Sequence, residues 1–77
     1  KSVATVSYEL IRRLERVLMD GRVREVLVYL NPDVAYHVMS PEKNMIRPFE
    51  RRFRKVIRVV DDPNLHIEEI KIEERAA

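Results

Sequence analysis

The sequence predicts an α+β domain with the element order α-β-α-α-β-β and a three-stranded mixed sheet. Three observations predict it. A helical apolar period opens the chain, two short runs rich in branched residues follow at Val23–Leu30 and Lys55–Val60, and proline-marked helix starts lie between those runs.

From Thr5 to Met19, the residues Val6, Leu10, Leu14, Val17 and Leu18 recur at three- and four-residue steps, while Glu9, Arg12, Arg13, Glu15 and Arg16 fill the other side. Thr5 is placed to cap this helix. Asp20-Gly21 is placed to end it, because glycine enters the left-handed conformation without a Cβ penalty. Val23–Leu30 is too short for a helical pattern and reads as a strand whose second half is buried on both faces. Asn31-Pro32-Asp33 then starts a helix: asparagine caps, proline suits the first helical position, and the carboxylate meets the positive helix end. Val34, Ala35, Val38 and Met39 form its apolar stripe.

Ser40-Pro41-Glu42 repeats the start signal, so this helix is expected to be short. Pro48 is expected to break or kink the next helical segment, because it lacks a backbone donor and crowds the preceding turn. Beyond it, Phe49 and Phe53 should point inward on one face with Ile46. Lys55–Val60 is the second strand, Asp61-Asp62-Pro63-Asn64 a turn, and Leu65–Glu73 the third strand. A β-bulge at Glu68-Glu69 would bring Leu65, Ile67, Ile70 and Ile72 to one face. The tight turn predicts that strands two and three pair antiparallel. Strand one should pair with strand two in parallel, through a right-handed crossover.

The composition narrows the chemistry. A chain of 77 residues is one small domain that buries only about 60% of its unfolded surface, so it leans on a partner. With no cysteine, neither a disulfide nor a thiolate metal site is available. No apolar run approaches the ~20 residues that span a bilayer, and Lys1-Ser2-Val3-Ala4 leads straight into an amphipathic pattern. A cytoplasmic location is the expectation, and a first residue other than methionine suggests a piece of a longer protein. The net charge of +2 hides a segregation. Glu42–Arg58 holds seven basic and two acidic residues, whereas Asp61–Arg75 holds two basic and six acidic ones.

Catalytic patterns are missing. His37 and His66 fall on different predicted elements, and zinc needs three or four ligands. Ser2, Ser7 and Ser40 lie near helix starts, where a hydroxyl caps. A phosphate loop needs several glycines, and Gly21 stands alone. The carboxylate pairs Glu68-Glu69 and Glu73-Glu74 have no cleft to perturb them. The candidate site is instead basic. Arg47, Arg51, Arg54 with Lys55, and Arg58 recur at three- to four-residue steps, so over the helical portion they line one face, with Arg52 beside them and Phe49 and Phe53 opposite. Guanidinium groups in a row suit RNA phosphates; the same row suits a solvated face or ion pairs to the acidic tail. Tyr29 and Tyr36 are candidate interface residues, because an amphipathic ring fits a half-wet contact.

Three stretches in order resemble one family. Lys1–Val6 with Tyr8–Arg12, then Val26–Ala35, then Lys55–Val60 with Asp62–Glu69, are similar to the small C-terminal domain of ribonucleases of the E/G family. Arg54-Lys55, where that family often has Gly-Lys, and Pro48 depart from its pattern. The resemblance implies a thioredoxin-like outline and a single domain, 1–77, that is the C-terminal fragment of a larger ribonuclease. It also implies a non-catalytic role in a bacterial, single-strand-specific endoribonuclease of RNA processing and decay. The expected partners are a second copy or the upstream nuclease domain, with RNA a further one. The family's magnesium-binding aspartates and zinc-linking cysteines have no counterpart here, so those ions are expected only in the parent. The alternative is a stand-alone RNA-binding module.

Overall fold

The computed structural model describes residues 1–76. The first helix, α1, runs Val3–Leu18 and starts two residues earlier than the apolar period suggests. Ser2, not Thr5, is the cap: its Oγ accepts from the Thr5 N–H at 3.1 Å. The face bearing Val6, Leu10, Leu14 and Leu18 is fully buried. Gly21 does not adopt a positive φ, so the expected left-handed cap is absent. The ammonium of Lys55 closes the helix end instead, donating to the Leu18 carbonyl at 2.6 Å and the Asp20 carbonyl at 2.7 Å. A cation there also meets the negative end of the helix dipole.

Strand β1 spans Val23–Leu30, as predicted. Helix α2 spans Pro32–Met39, with Asn31 Oδ1 accepting from Asp33 N–H at 2.9 Å. Ser40-Pro41-Glu42 begins no helix; it forms a turn closed by Lys43 N–H on the Ser40 carbonyl. The third helix, α3, is Arg47–Phe53, and Pro48 lies in its first turn rather than interrupting it. The missing proline donor is one that a first turn leaves free anyway. Asn44 Oδ1 takes up the Ile46 and Arg47 N–H groups at 3.0 and 2.9 Å. The rings of Phe49 and Phe53 meet edge to face, centroids 5.9 Å apart, half-buried against the core.

Strand β2 is Val56–Asp61 and β3 is Ile70–Ala76. The sheet order is β2-β1-β3, with β1 parallel to β2 and antiparallel to β3. The mixed α+β architecture stands, but the pairing of strands two and three does not. The turn at Asp62–Asn64 forms, with Leu65 N–H on the Asp62 carbonyl, yet no hairpin follows it. Residues 62–69 instead cross the end of β1, held where Asn31 Nδ2 donates to the Leu65 carbonyl at 2.9 Å and where Leu65 is buried. The chain thereby reaches the far edge of β1, the most apolar strand, which takes the centre. Because β3 starts at Ile70, plain alternation sends Ile70 and Ile72 inward. No bulge forms at Glu68-Glu69; the register shift lies in β1, between Val23 and Glu25.

Helices α1 and α2 pack together on one face of the sheet, over Val26, Val28, Leu30 and Ile57. Ser7, fully buried on α1, donates to the Val3 carbonyl at 2.8 Å and lies 2.9 Å from His37 Nδ1 on α2, tying the two helices. The second half of β1 is therefore buried on one face only.

Candidate interaction surfaces on an open sheet

Strand alternation decides what the uncovered face displays. With Val26, Val28 and Leu30 turned to the helices, Glu25, Leu27 and Tyr29 turn the other way. The registers place Val56 and Arg75 beside Glu25, Arg58 and Glu73 beside Leu27, and Val60 and Lys71 beside Tyr29. Val56 is 44% exposed and Val60 37% exposed, while Leu27 and Tyr29 are half-covered. Apolar side chains thus alternate with cross-strand charge pairs. Arg58 Nε donates to Glu25 at 2.5 Å, and the Tyr29 hydroxyl donates to Glu73 at 3.0 Å. That bond, with partial burial and the nearby negative charge, pushes the Tyr29 hydroxyl above its usual pKa. Arg75 lies 3.6 Å from Glu73.

Tyr36 is elsewhere. It projects from α2, 74% exposed, into a groove between that helix and β2 that Pro32, Ala35, Met39, Val59 and Asp61 also line. The two tyrosines therefore belong to different surfaces. Sequence reasoning missed Leu27, Val56 and Val60 as one patch. The alternation Val56-Arg58-Val60 was visible, but its alignment with Tyr29 depends on β1 being central.

The basic row does not survive as one stripe. Lys55 is committed to the end of α1, and Arg58 lies across the open sheet on Glu25. Arg52 pairs with Glu15 on α1 at 3.2 Å and lies 4.7 Å over the Phe53 ring. Arg54 terminates α3 in the left-handed region at φ 56°. Arg47, Arg51 and Arg54 are exposed, and among the described residues none has a carboxylate within salt-bridge reach. Phe49 and Phe53 are half-buried against the core, not displayed as a stacking platform.

At the opposite end, the Arg22 side chain and N–H both hydrogen-bond Asp20, holding its carboxyl down to about 2 and raising the Arg22 guanidinium. This is a local turn clasp. Among the described residues no three His, Asp or Glu side chains gather as a metal site, and no buried side-chain polar atom lacks a partner. His37 bonds Ser7, and His66 stands exposed in the 62–69 crossing. Among the described residues no helix is long and apolar enough to cross a membrane.

No curated protein sequence matches the chain. The family described as RNase E/G, thioredoxin-like domain, matches residues 1–75, almost the whole length, and the three-stranded mixed sheet with its helices is consistent with that description. The chain belongs to the thioredoxin-like domain family of RNase E/G.

Proposed function

We propose that this chain is a single, non-catalytic domain at the C-terminal end of a bacterial, cytoplasmic endoribonuclease, where it contributes assembly. The observation that carries this reading is the bare sheet. Helices cover one face, while Leu27, Tyr29, Val56 and Val60 stand partly exposed on the other among charges already paired within the face. Paired charges suit an interface, because a partner that covers them does not strand an uncompensated charge. The partner is the upstream nuclease domain or a second copy. The family's magnesium and zinc do not fit the donors present: there is no cysteine, and no cluster of three carboxylate or imidazole groups among the described residues. On this reading, bond-breaking chemistry belongs to residues outside this chain. Deleting the segment from its parent nuclease should lower the molar mass by light scattering and slow RNA cleavage. Unchanged mass and unchanged rate would rule the reading out.

A second reading, RNA positioning, is favoured by Arg47, Arg51 and Arg54, which are exposed and have no carboxylate partner among the described residues. Replacing all three by alanine should lower the slope of log affinity against log salt by about 2 for single-stranded RNA if all three meet phosphates. An unchanged slope removes them from any RNA contact.

A further inference from the structure

Strand β2 is an edge, and only part of that edge is open. Asp62 N–H donates to the Leu30 carbonyl at 2.7 Å, so the backbone groups of Val56, Arg58, Val60 and Asp62 turn toward β1. Ile57, Val59 and Asp61 must then turn their N–H and C=O groups outward. Ile57 N–H is stopped: the Glu50 carboxylate of α3 accepts from it at 2.9 Å. At the other end the chain turns at Pro63, which has no N–H. Between these stops lie the outward groups of Val59 and Asp61, beside the groove of Pro32, Ala35, Tyr36 and Met39.

The geometry points to a second copy of this chain pairing here, β2 against β2 in antiparallel, with the two-fold axis at Val60. An open edge of two outward residues is self-complementary in this register. Val59 of each copy faces Asp61 of the other, and both members of each pair have N–H and C=O groups with no partner among the described residues, giving four backbone hydrogen bonds across the junction. The two Val60 side chains, each 37% exposed, meet at the axis on the open face. Arg58, which holds Glu25 of its own copy, comes opposite the partner's Asp62 on that same face, where Asp62 also accepts from its own Asn64 N–H, so no like charges meet at either end. Tyr36 and Met39 of both copies fall on the helix side of the junction.

Neighbouring registers are worse. Centring on Val59 sets each Asp61 against the partner's Ile57, whose N–H Glu50 already holds, and brings two carboxylates together. Centring on Arg58 sets like guanidinium groups opposite each other. Glu50 thus acts as a register stop as well as an edge guard. The result is a six-stranded sheet with one continuous open face. The inference rests on the assembly reading and names its self-contact.

The test is amide hydrogen exchange and sedimentation of this chain across a concentration series. The Val59 and Asp61 amides should become protected as concentration rises, while Ile57, held within its own copy, should not change with concentration. Val59→Pro removes two of the four intermolecular bonds and no internal one, so the dimer dissociation constant should rise by about tenfold or more. Val60→Lys sets two ammonium groups at the axis and should weaken the dimer at least as much, with the circular dichroism spectrum unchanged. A chain that stays monomeric, or that dimerises equally well with both substitutions, overturns the pairing. Growth beyond dimers, from β2 joining the outer edge of β3, would overturn it too. The open-face reading fails separately, through the mass and cleavage rate of the parent nuclease lacking this segment.

Discussion

Replacing Lys55 by methionine isolates the group that holds α1 to the start of β2. The methionine keeps most of the aliphatic stem, so the change removes chiefly an ammonium and its two short bonds, 2.6 Å to the Leu18 carbonyl and 2.7 Å to the Asp20 carbonyl. Hydrogen bonds with a charged partner contribute about 1.5–3 kcal/mol each when measured singly. Here one ammonium serves both, and it is half-buried. The two together should then be worth about 2–3 kcal/mol. For a domain of this size that corresponds to a fall in melting temperature of roughly 10–20 °C. Urea unfolding followed by circular dichroism gives the number directly, with the m value expected to stay constant. A loss below about 0.5 kcal/mol would show that the lysine is only a surface contact and that α1 ends by its own backbone.

Arg54 is the one non-glycine residue with positive φ among the described residues, so Arg54→Gly should raise stability by up to about 1 kcal/mol in thermal unfolding; a loss would mean that its side chain contributes contacts. Asp20 is ionised more readily folded than unfolded, its carboxyl held down to about 2 by Arg22. Its contribution is therefore complete above the ordinary carboxylate range and lost as pH falls toward 2, and Asp20→Asn should flatten the stability profile across that window. An identical acid limb in the variant would contradict this. Ser7→Ala deletes the hydroxyl between the Val3 carbonyl and His37, and should cost about 1 kcal/mol by loosening α2 from α1. Stability unchanged within about 0.3 kcal/mol would show that the link carries nothing.

What the sequence made legible was local. The four-residue step of Val6, Leu10, Leu14 and Leu18 and the branched run Val23–Leu30 each determine their own element, whatever surrounds them. Asn31-Pro32-Asp33 likewise carries its own start signal. Strand order was not local. Whether β3 follows the turn at Pro63 into a hairpin or crosses β1 depends on which edge offers the better apolar partner, and Leu65 buried beside Asn31 decides it. The end of α1 shows the same limit. Gly21 was the near candidate, but the group that closes the helix comes from Lys55, 37 residues from Leu18. The basic row has the same limit. Its spacing lines one face only over the helical portion, and Arg58, on the strand where the sequence puts it, answers to Glu25 across the sheet. Tyr29 was recognised as amphipathic, but its patch with Leu27, Val56 and Val60 exists only once β1 is flanked on both sides.

The most direct test of the domain as a docking surface is the molar mass of the parent nuclease carrying Leu27→Lys, a single charge set in the middle of the uncovered face. The substitution leaves the helix-covered side of β1 untouched, so the domain should keep its circular dichroism spectrum and its cooperative melt. A lower assembly mass with the fold intact is the predicted result. An assembly of unchanged mass, with the substituted domain equally folded, would show that the open sheet does not hold the enzyme together.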